Sequence, residues 1–212
     1  MNSSPATTAR ERSRADSRRR LLDAAVEVFA DKGVGSAKAT DIAARAGVAV
    51  GTLYLHFGDK DGISRAVALD ALAELRTRLR AAVERAHPTV QEAARAHAKA
   101  LVDFVADPGK RGRLLFAGDA PGLRGDVLDA MAAAQEAHLL ERRGDGYFRD
   151  DIDAAIAAQA LVGMQSRVLT WWIENPARAS RAKIIDTLAK LRLSGIHGSG
   201  GEPRPTRRRA KK

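Results

Sequence analysis

The chain has 212 residues, no cysteine, 4% aromatic residues and a formal net charge of +10. The missing thiols exclude disulfides, thiolate metal sites and thiol catalysis, and no apolar run approaches the length of a membrane span. The charge is uneven: six arginines against two acids in residues 1–20, and six cations against one acid in residues 202–212, leave the body within one charge of neutral.

Such basic ends supply a salt-dependent attraction to phosphates that is blind to sequence. Alternating apolar patterns are scarce and no Asn-Gly or Asp-Gly joins apolar stretches, so the chain is expected to be all-α. No apolar run follows the N-terminal arginines, which predicts no signal peptide and a cytoplasmic protein.

In chain order, residues 1–17 read as a disordered basic arm. Its Arg10, Arg12 and Arg14 suit either solvation or insertion into a DNA minor groove. From Arg18 to Asp31, Leu21, Leu22, Ala25, Val28 and Phe29 form a helical stripe that Gly33 closes. The stretch D-I-A-A-R-A-G-V-A-V-G-T-L-Y-L-H-F-G-D-K (Asp41 to Lys60) follows. Ile42, Ala43 and Ala46 share one face of a short helix, and Gly47 stands where a helix ends with φ > 0. A second short helix, starting near Ala49 or Val50, presents Leu53 and Phe57 to the same core. Two short helices, a glycine turn and small Ala contacts meet the needs of a helix-turn-helix, although a plain helical hairpin has the same periodicity.

Asp59 caps a long helix to about Arg85, in which Gly62 is a mild oddity costing up to ~1 kcal/mol relative to Ala. His87-Pro88 ends it. Thr89 caps a helix from Val90 to about Ala106, with Ala94, Leu101, Val102 and Val105 inward, and Asp107-Pro108-Gly109 stops it. A short helix at 111–116 precedes a loop at Gly118 to Gly122. The next helix, Leu123 to Arg142, buries Val127, Leu128, Met131, Ala134 and Leu139, and Gly144-Asp145-Gly146 breaks it. Asp150 and Asp151 open a helix that is apolar nearly all round from Ile152 to Met164 and runs to Asn175-Pro176. A helix like that must be covered on two sides, and Ala154, Ala157, Ala158, Ala160 and Gly163 let a neighbour come close. The last helix, about Ala179 to Leu193, sets Ile184, Ile185, Leu188 and Leu191 against Lys183, Asp186, Lys190 and Arg192. From Gly195 onward the chain is a basic tail rich in Gly, Pro and Arg.

The order D-I-A-x-x-A-G-V-x-x-G-T-L-Y-x-H-F-x-x-K-x-x-I, ungapped from Asp41 to Ile63, resembles the DNA-binding signature of the TetR family of bacterial one-component regulators. The resemblance implies a three-helix DNA-binding head (18–62), then a larger helical effector-binding and dimerisation domain (63–194), about nine helices in all. It implies double-stranded operator DNA as a partner, a small and often hydrophobic effector, and a homodimer formed by the last two helices (about 151–175 and 179–193). The chain departs from the signature at Lys38, where many relatives place a Thr that caps reciprocally with the Asp. Ser36 is the substitute cap one turn earlier.

By position in the motif, Thr52, Tyr54, His56 and Lys60 resemble the residues with which relatives hold phosphates, contacts that position rather than specify. Tyr54 equally suits half-buried packing, and His56 a cap on its own helix. Thr40, Ala49, Val50, Gly51 and Thr52 fall at base-reading positions. None makes the bidentate bonds of Arg, Asn or Gln, so specificity leans on thymine methyl contacts and DNA shape. Phe104, Phe116, Met131, Gln135, His138, Met164, Arg167 and Trp171 are candidates for an effector pocket, each also eligible as core. Gln135 and Arg167, polar on apolar helices, are the ones expected to orient a ligand.

No P-loop, strand-linked G-x-G-x-x-G, G-x-S-x-G or H-E-x-x-H is present, and the five histidines lack metal-ligand spacing. Neither enzyme activity nor a cofactor is therefore expected. The leading reading is a homodimeric repressor released from a palindromic operator by an apolar effector. A DNA-organising protein, or an activator on the same fold, is the alternative.

Overall fold

The computed structural model describes residues 9–85, 89–107, 111–117, 123–143 and 148–196, and contains no strand among them. In order, the helices are α1 (Ala9–Lys32), α2 (Ala39–Ala46), α3 (Val50–Phe57), α4 (Lys60–Arg85), α5 (Val90–Ala106), α6 (Arg111–Ala117), α7 (Leu123–Glu141), α8 (Ala154–Glu174) and α9 (Arg181–Ile196), with a 3-10 turn at Pro176–Arg178. None is long and apolar enough to cross a membrane. The expected breaks at His87-Pro88, Pro108-Gly109, Gly118–Gly122 and Gly144–Gly146, and the tail from His197, lie outside the described residues.

Two apolar cores organise the chain. In the head, Leu21, Ala25 and Phe29 of α1 close over Ile42 of α2, Leu53 of α3, and Ile63 and Val67 of α4. In the body, Leu72 and Leu75 of α4 meet Leu101 and Phe104 of α5, Phe116 of α6, Leu169 and Trp172 of α8, and Leu188 of α9. One uninterrupted helix, α4, therefore supplies side chains to both cores. Helix α6 does the same on a smaller scale, because Leu114 packs on the head while Leu115 and Phe116 are buried in the body.

Three expectations need correction. Residues 9–17 are helical and not a disordered arm. Once the buried Leu21 segment fixes a helix, extending it costs little, and Ala and Arg extend it well. An Asp16–Arg20 pair one turn apart and the contact of Ser17 with His56 of α3 hold the extension. Ser36 does not cap α2; Lys38 occupies the N-cap. Its backbone N–H donates to the Asp41 carboxylate at 3.2 Å, the half of a capping box that survives without a hydroxyl. Asp41 thus keeps a partner, and Lys32 lies 2.9 Å from the same carboxylate. Helix α8 starts at Ala154, capped by Asp153, whose Oδ1 accepts from Ile156 N–H at 2.9 Å; Asp150 and Asp151 precede it.

Other local readings hold. Thr89 and Glu92 form a reciprocal box at the start of α5, and Asp59 accepts from Gly62 N–H at 2.7 Å at the start of α4.

Candidate nucleic-acid interface and internal cavity

Gly47 sets the turn between α2 and α3. It sits at φ 65°, ψ 39°, the left-handed conformation that glycine takes without steric cost. Its N–H and that of Val48 fold back onto the carbonyls of Ala44 and Ala43, each at 3.1 Å. Leu53 is fully buried, which fixes the rotation of α3 and turns Ala49, Val50, Gly51, Tyr54 and Leu55 outward. Thr52 and His56 are half-buried beside them, and Thr40 is exposed in the first turn of α2. A Cβ added at Gly51 would meet nothing within 4 Å, so the protein's own packing does not require a glycine there.

Two of the supposed phosphate contacts are engaged within the head. Lys60 Nζ donates to the carbonyls of Val34 and Gly35 at 3.1 and 3.0 Å, which ties the α1–α2 loop to α4 and uses two of its three donors. His56 shares a 3.0 Å hydrogen bond with Ser17. Its pKa is lowered, first by burial and then by the charges of Arg14 and Arg18. Arg14 and Arg18 of α1 thus stand beside α3, and Arg18 lies over the Phe57 ring. Of these, Arg14 was expected as a minor-groove candidate, while Arg18 and Leu55, 72% exposed on α3, were not singled out as contacts from the sequence.

In the body, a cavity of about 590 Å³ opens among α4, α5, α7, α8 and α9. Of the eight pocket candidates it gathers Met131, Gln135 and His138. Phe104 and Phe116 are fully buried core, and Met164 is partly buried packing. Arg167 and Trp171 lie on the outer face of α8, away from the cavity. The rotation of α8 decides this, because its inward stripe runs through Leu161, Val162, Gln165 and Leu169.

Polar residues not proposed from the sequence also line the cavity, among them His97, Gln165 and Arg192. Gln165 and Arg192 are 5% and 6% exposed, and Arg192 is the only buried charged side chain among the described residues. Arg192 had been assigned to the solvent face of α9, which the structure reverses. The spacing held the signal. Arg192 follows Leu188 by four residues and Ile185 by seven, His97 lies between Ala94 and Leu101, and Gln165 lies between Leu161 and Leu169. Each is a polar residue on an apolar stripe.

Burial first, and then the Arg192 charge, hold the His97 pKa well below its ordinary 6.5; the adjoining Gln165 side chain pulls the other way and His138 adds to the lowering. The fold therefore keeps His97 neutral, while the unfolded chain takes up a proton near 6.5. This contribution to stability is complete above the unfolded value and is lost as pH falls toward the folded one. Urea midpoints measured from about pH 7.5 down to about pH 5 should fall with a slope that grows by up to ~1.4 kcal/mol per pH unit for each such histidine. His97→Gln should flatten that slope, and an unchanged slope would remove His97 as its source.

The profile described as "Bacterial regulatory proteins, tetR family" matches residues 21–67, which run from α1 into α4. The fatty acid metabolism regulator protein of Bacillus subtilis is 25% identical over 194 residues, covering 84% of this chain and 94% of that one. The transcriptional activator FasR of Mycolicibacterium smegmatis is 28% identical over 191 residues, covering 86% and 84%. Among solved structures, FadR from Bacillus subtilis with stearoyl-CoA superposes with a TM-score of 0.68 at 24% identity, over 84% of this chain and 99% of that one. The SmeT–triclosan complex gives 0.70 at 20% identity, over 92% and 99%. These structural likenesses speak for the fold. The profile match and the two curated relatives, taken with the helix-turn-helix built around Gly47 and Leu53, show a DNA-binding transcriptional regulator whose head, residues 21–67, is of the TetR family.

Proposed function

We propose that this regulator is a cytoplasmic homodimeric repressor, released from a palindromic operator when a small, largely apolar effector fills the body cavity. The observation that carries this reading is the double duty of α4. Its Ile63 and Val67 belong to the head core, while its Leu72, Leu75 and Leu79 line the cavity. A ligand that favours one setting of α4 must favour one setting of the head, because it acts through its different affinity for the two states. The regulator of Bacillus subtilis was solved with stearoyl-CoA and SmeT with triclosan, and both ligands agree with an apolar effector here.

The head, residues 18–62, reads DNA through Thr40, Ala49, Val50, Gly51 and Thr52. Tyr54 and His56 position it, and Lys60 contributes mainly by holding the loop ahead of α2. The body, residues 63–194, senses and dimerises. Support for dimerisation through α8 and α9 comes from the outer face of α8, where Ile156 is 72% exposed in line with Ala160, Gly163 and Trp171, and from exposed Leu191 on α9. A second copy would bury this apolar strip as an isologous bundle.

The test is titration of DNA from upstream of the chain's own gene at two salt concentrations. A saturable complex of two protomers per site that survives the higher salt is expected. Tyr54→Ala should weaken operator and non-operator DNA alike, by about tenfold for each lost hydrogen bond to a phosphate. Transcription from the same promoter rising when the protein is removed completes the reading. Falling transcription would make it an activator, and a changed base preference in Tyr54→Ala would make Tyr54 a base reader.

A further inference from the structure

We propose that the first turns of α1 (residues 9–20) are a second DNA-binding element, a rigid cationic rail set beside α3 by the contact of Ser17 with His56. Its Arg14 and Arg18 grip phosphates that border the groove entered by α3. The proposal needs only the DNA-binding head, and it holds for a repressor and an activator alike.

Residues 9–20 are helical although they bury almost nothing, since Ser17 alone among them is even half-buried. Arg10, Arg14 and Arg18 follow one another at four-residue spacing, which stacks them on one face about 6 Å apart along the axis. Like charges at that spacing repel, and cations near the N-terminus of a helix oppose its dipole. Glu11 eases the first turn. Asp16 lies on the far side from Arg14 and pairs with Arg20 at 4.0 Å. Among the described residues neither Arg14 nor Arg18 has a carboxylate partner. A row of arginines that is unfavourable for the protein alone becomes favourable against a row of phosphates.

The base of the rail is fixed to α3. Ser17 Oγ donates to the Arg14 carbonyl at 3.0 Å. With its one proton so used, the hydroxyl accepts from His56 Nε2 at 3.0 Å. Arg18 lies over the Phe57 ring, 5.3 Å from its centroid, a contact that orients the guanidinium and leaves its N–H groups to other acceptors. Burial lowers the His56 pKa first, and the charges of Arg14 and then Arg18 lower it further, so both arginines stand near the ring.

Rigid placement separates this rail from a loose basic arm of the same composition. A loose arm attracts phosphates from any position and loses conformational freedom when it binds. A helix docked on α3 keeps its charges in register before DNA arrives. Phosphate contacts of this kind strengthen binding to every duplex and leave base preference to α3.

The experiment titrates the full-length protein onto two duplexes over a series of salt concentrations: DNA from upstream of the chain's own gene, and a scrambled sequence of the same length. Both carry the same phosphates, so the outcome does not depend on which holds the operator. Arg14→Gln and Arg18→Gln should each weaken binding to both by about tenfold. Each should also lower the slope of log K against log salt by about 0.9 per protomer. Arg12→Gln removes the same charge from the opposite face and should change the slope far less. Ala15→Pro keeps every charge but releases residues 9–14 from the helix, and should lose as much as Arg14→Gln. Ser17→Ala should lower the slope in the same way, and Ser17→Thr, which keeps the hydroxyl, should restore it. None of these side chains belongs to either core, so the fold is not at stake. Equal losses from Arg12→Gln and Arg14→Gln would overturn the rail in favour of net charge. Ala15→Pro binding like the unmodified protein would overturn it in favour of a loose arm. Unchanged binding by both Arg14→Gln and Arg18→Gln would overturn the phosphate contacts themselves.

Discussion

Gly62→Ala should cost the protein about 3 kcal/mol and abolish DNA binding, although helix propensity alone predicts a gain of up to ~1 kcal/mol for the same change. A Cβ on Gly62 would overlap the carbonyl oxygen of Phe57 and stand 3.0 Å from its carbonyl carbon. Both atoms are backbone at the end of α3, so no side chain can swing aside. The turn from α3 into α4 is tight because Gly58 N–H closes on Tyr54 O at 2.9 Å and Asp59 caps α4 through Gly62 N–H. Relief of the overlap must move α3 away from α4, which takes Leu53 away from Ile63 in the head core. Gly125→Ala is the control, because an added Cβ there meets nothing within 4 Å. Urea denaturation of the two variants decides the matter: a stabilised Gly62→Ala would mean that the α3–α4 turn relaxes freely and that propensity governs the site.

That disagreement in sign shows where sequence reasoning reaches its limit. The head was legible because its determinants are local. Gly47 at a helix end, Asp59 ahead of α4 and the Ala-rich face of α2 each act within one turn of chain. The N-terminal boundary of α1 was not legible, since Ser17 is held by His56, thirty-nine positions away. In the body, the apolar stripe of α5 was read correctly, whereas on α9 Leu191 is exposed and Arg192 buried, the reverse of the expectation; a cavity is the space left among five helices, and no single stripe reports it. Large aromatics drew the search for a pocket, and Phe104 and Phe116 proved to be the core against which the cavity is built. Gln135 was found by looking for polar residues on apolar helices. The same rule applied to α5, α8 and α9 selects His97, Gln165 and Arg192, whereas Arg167 misled because it lies two positions past Gln165, on the outer face of α8.

Gly112→Ala should have the second large effect, and it tests how head and body are joined. A Cβ on Gly112 would overlap Phe104 O and stand 2.7 Å from Val105 Cα and 2.8 Å from the Phe104 carbonyl carbon. Helix α6 would have to withdraw from α5. This seven-residue helix is the second link between the cores. Arg111 pairs with Asp23 of α1 at 2.8 Å and with Asp70 of α4, and Leu114 rests on the head. At the other end, the Phe116 carbonyl accepts from Thr170 Oγ1 of α8 at 2.7 Å. Withdrawal therefore loosens every contact by which α6 reports the state of the body to α1 and α4. A stability loss of about 3 kcal/mol is expected, together with an effector that still binds but releases DNA less completely. Arg111→Met should do less, up to ~1 kcal/mol, because ion pairs this exposed to water contribute little. Chemical denaturation alongside effector-dependent DNA release separates the cases. If Gly112→Ala matched the unmodified protein in both, α5 and α6 would be free to part, and α4 alone would carry the signal from cavity to head.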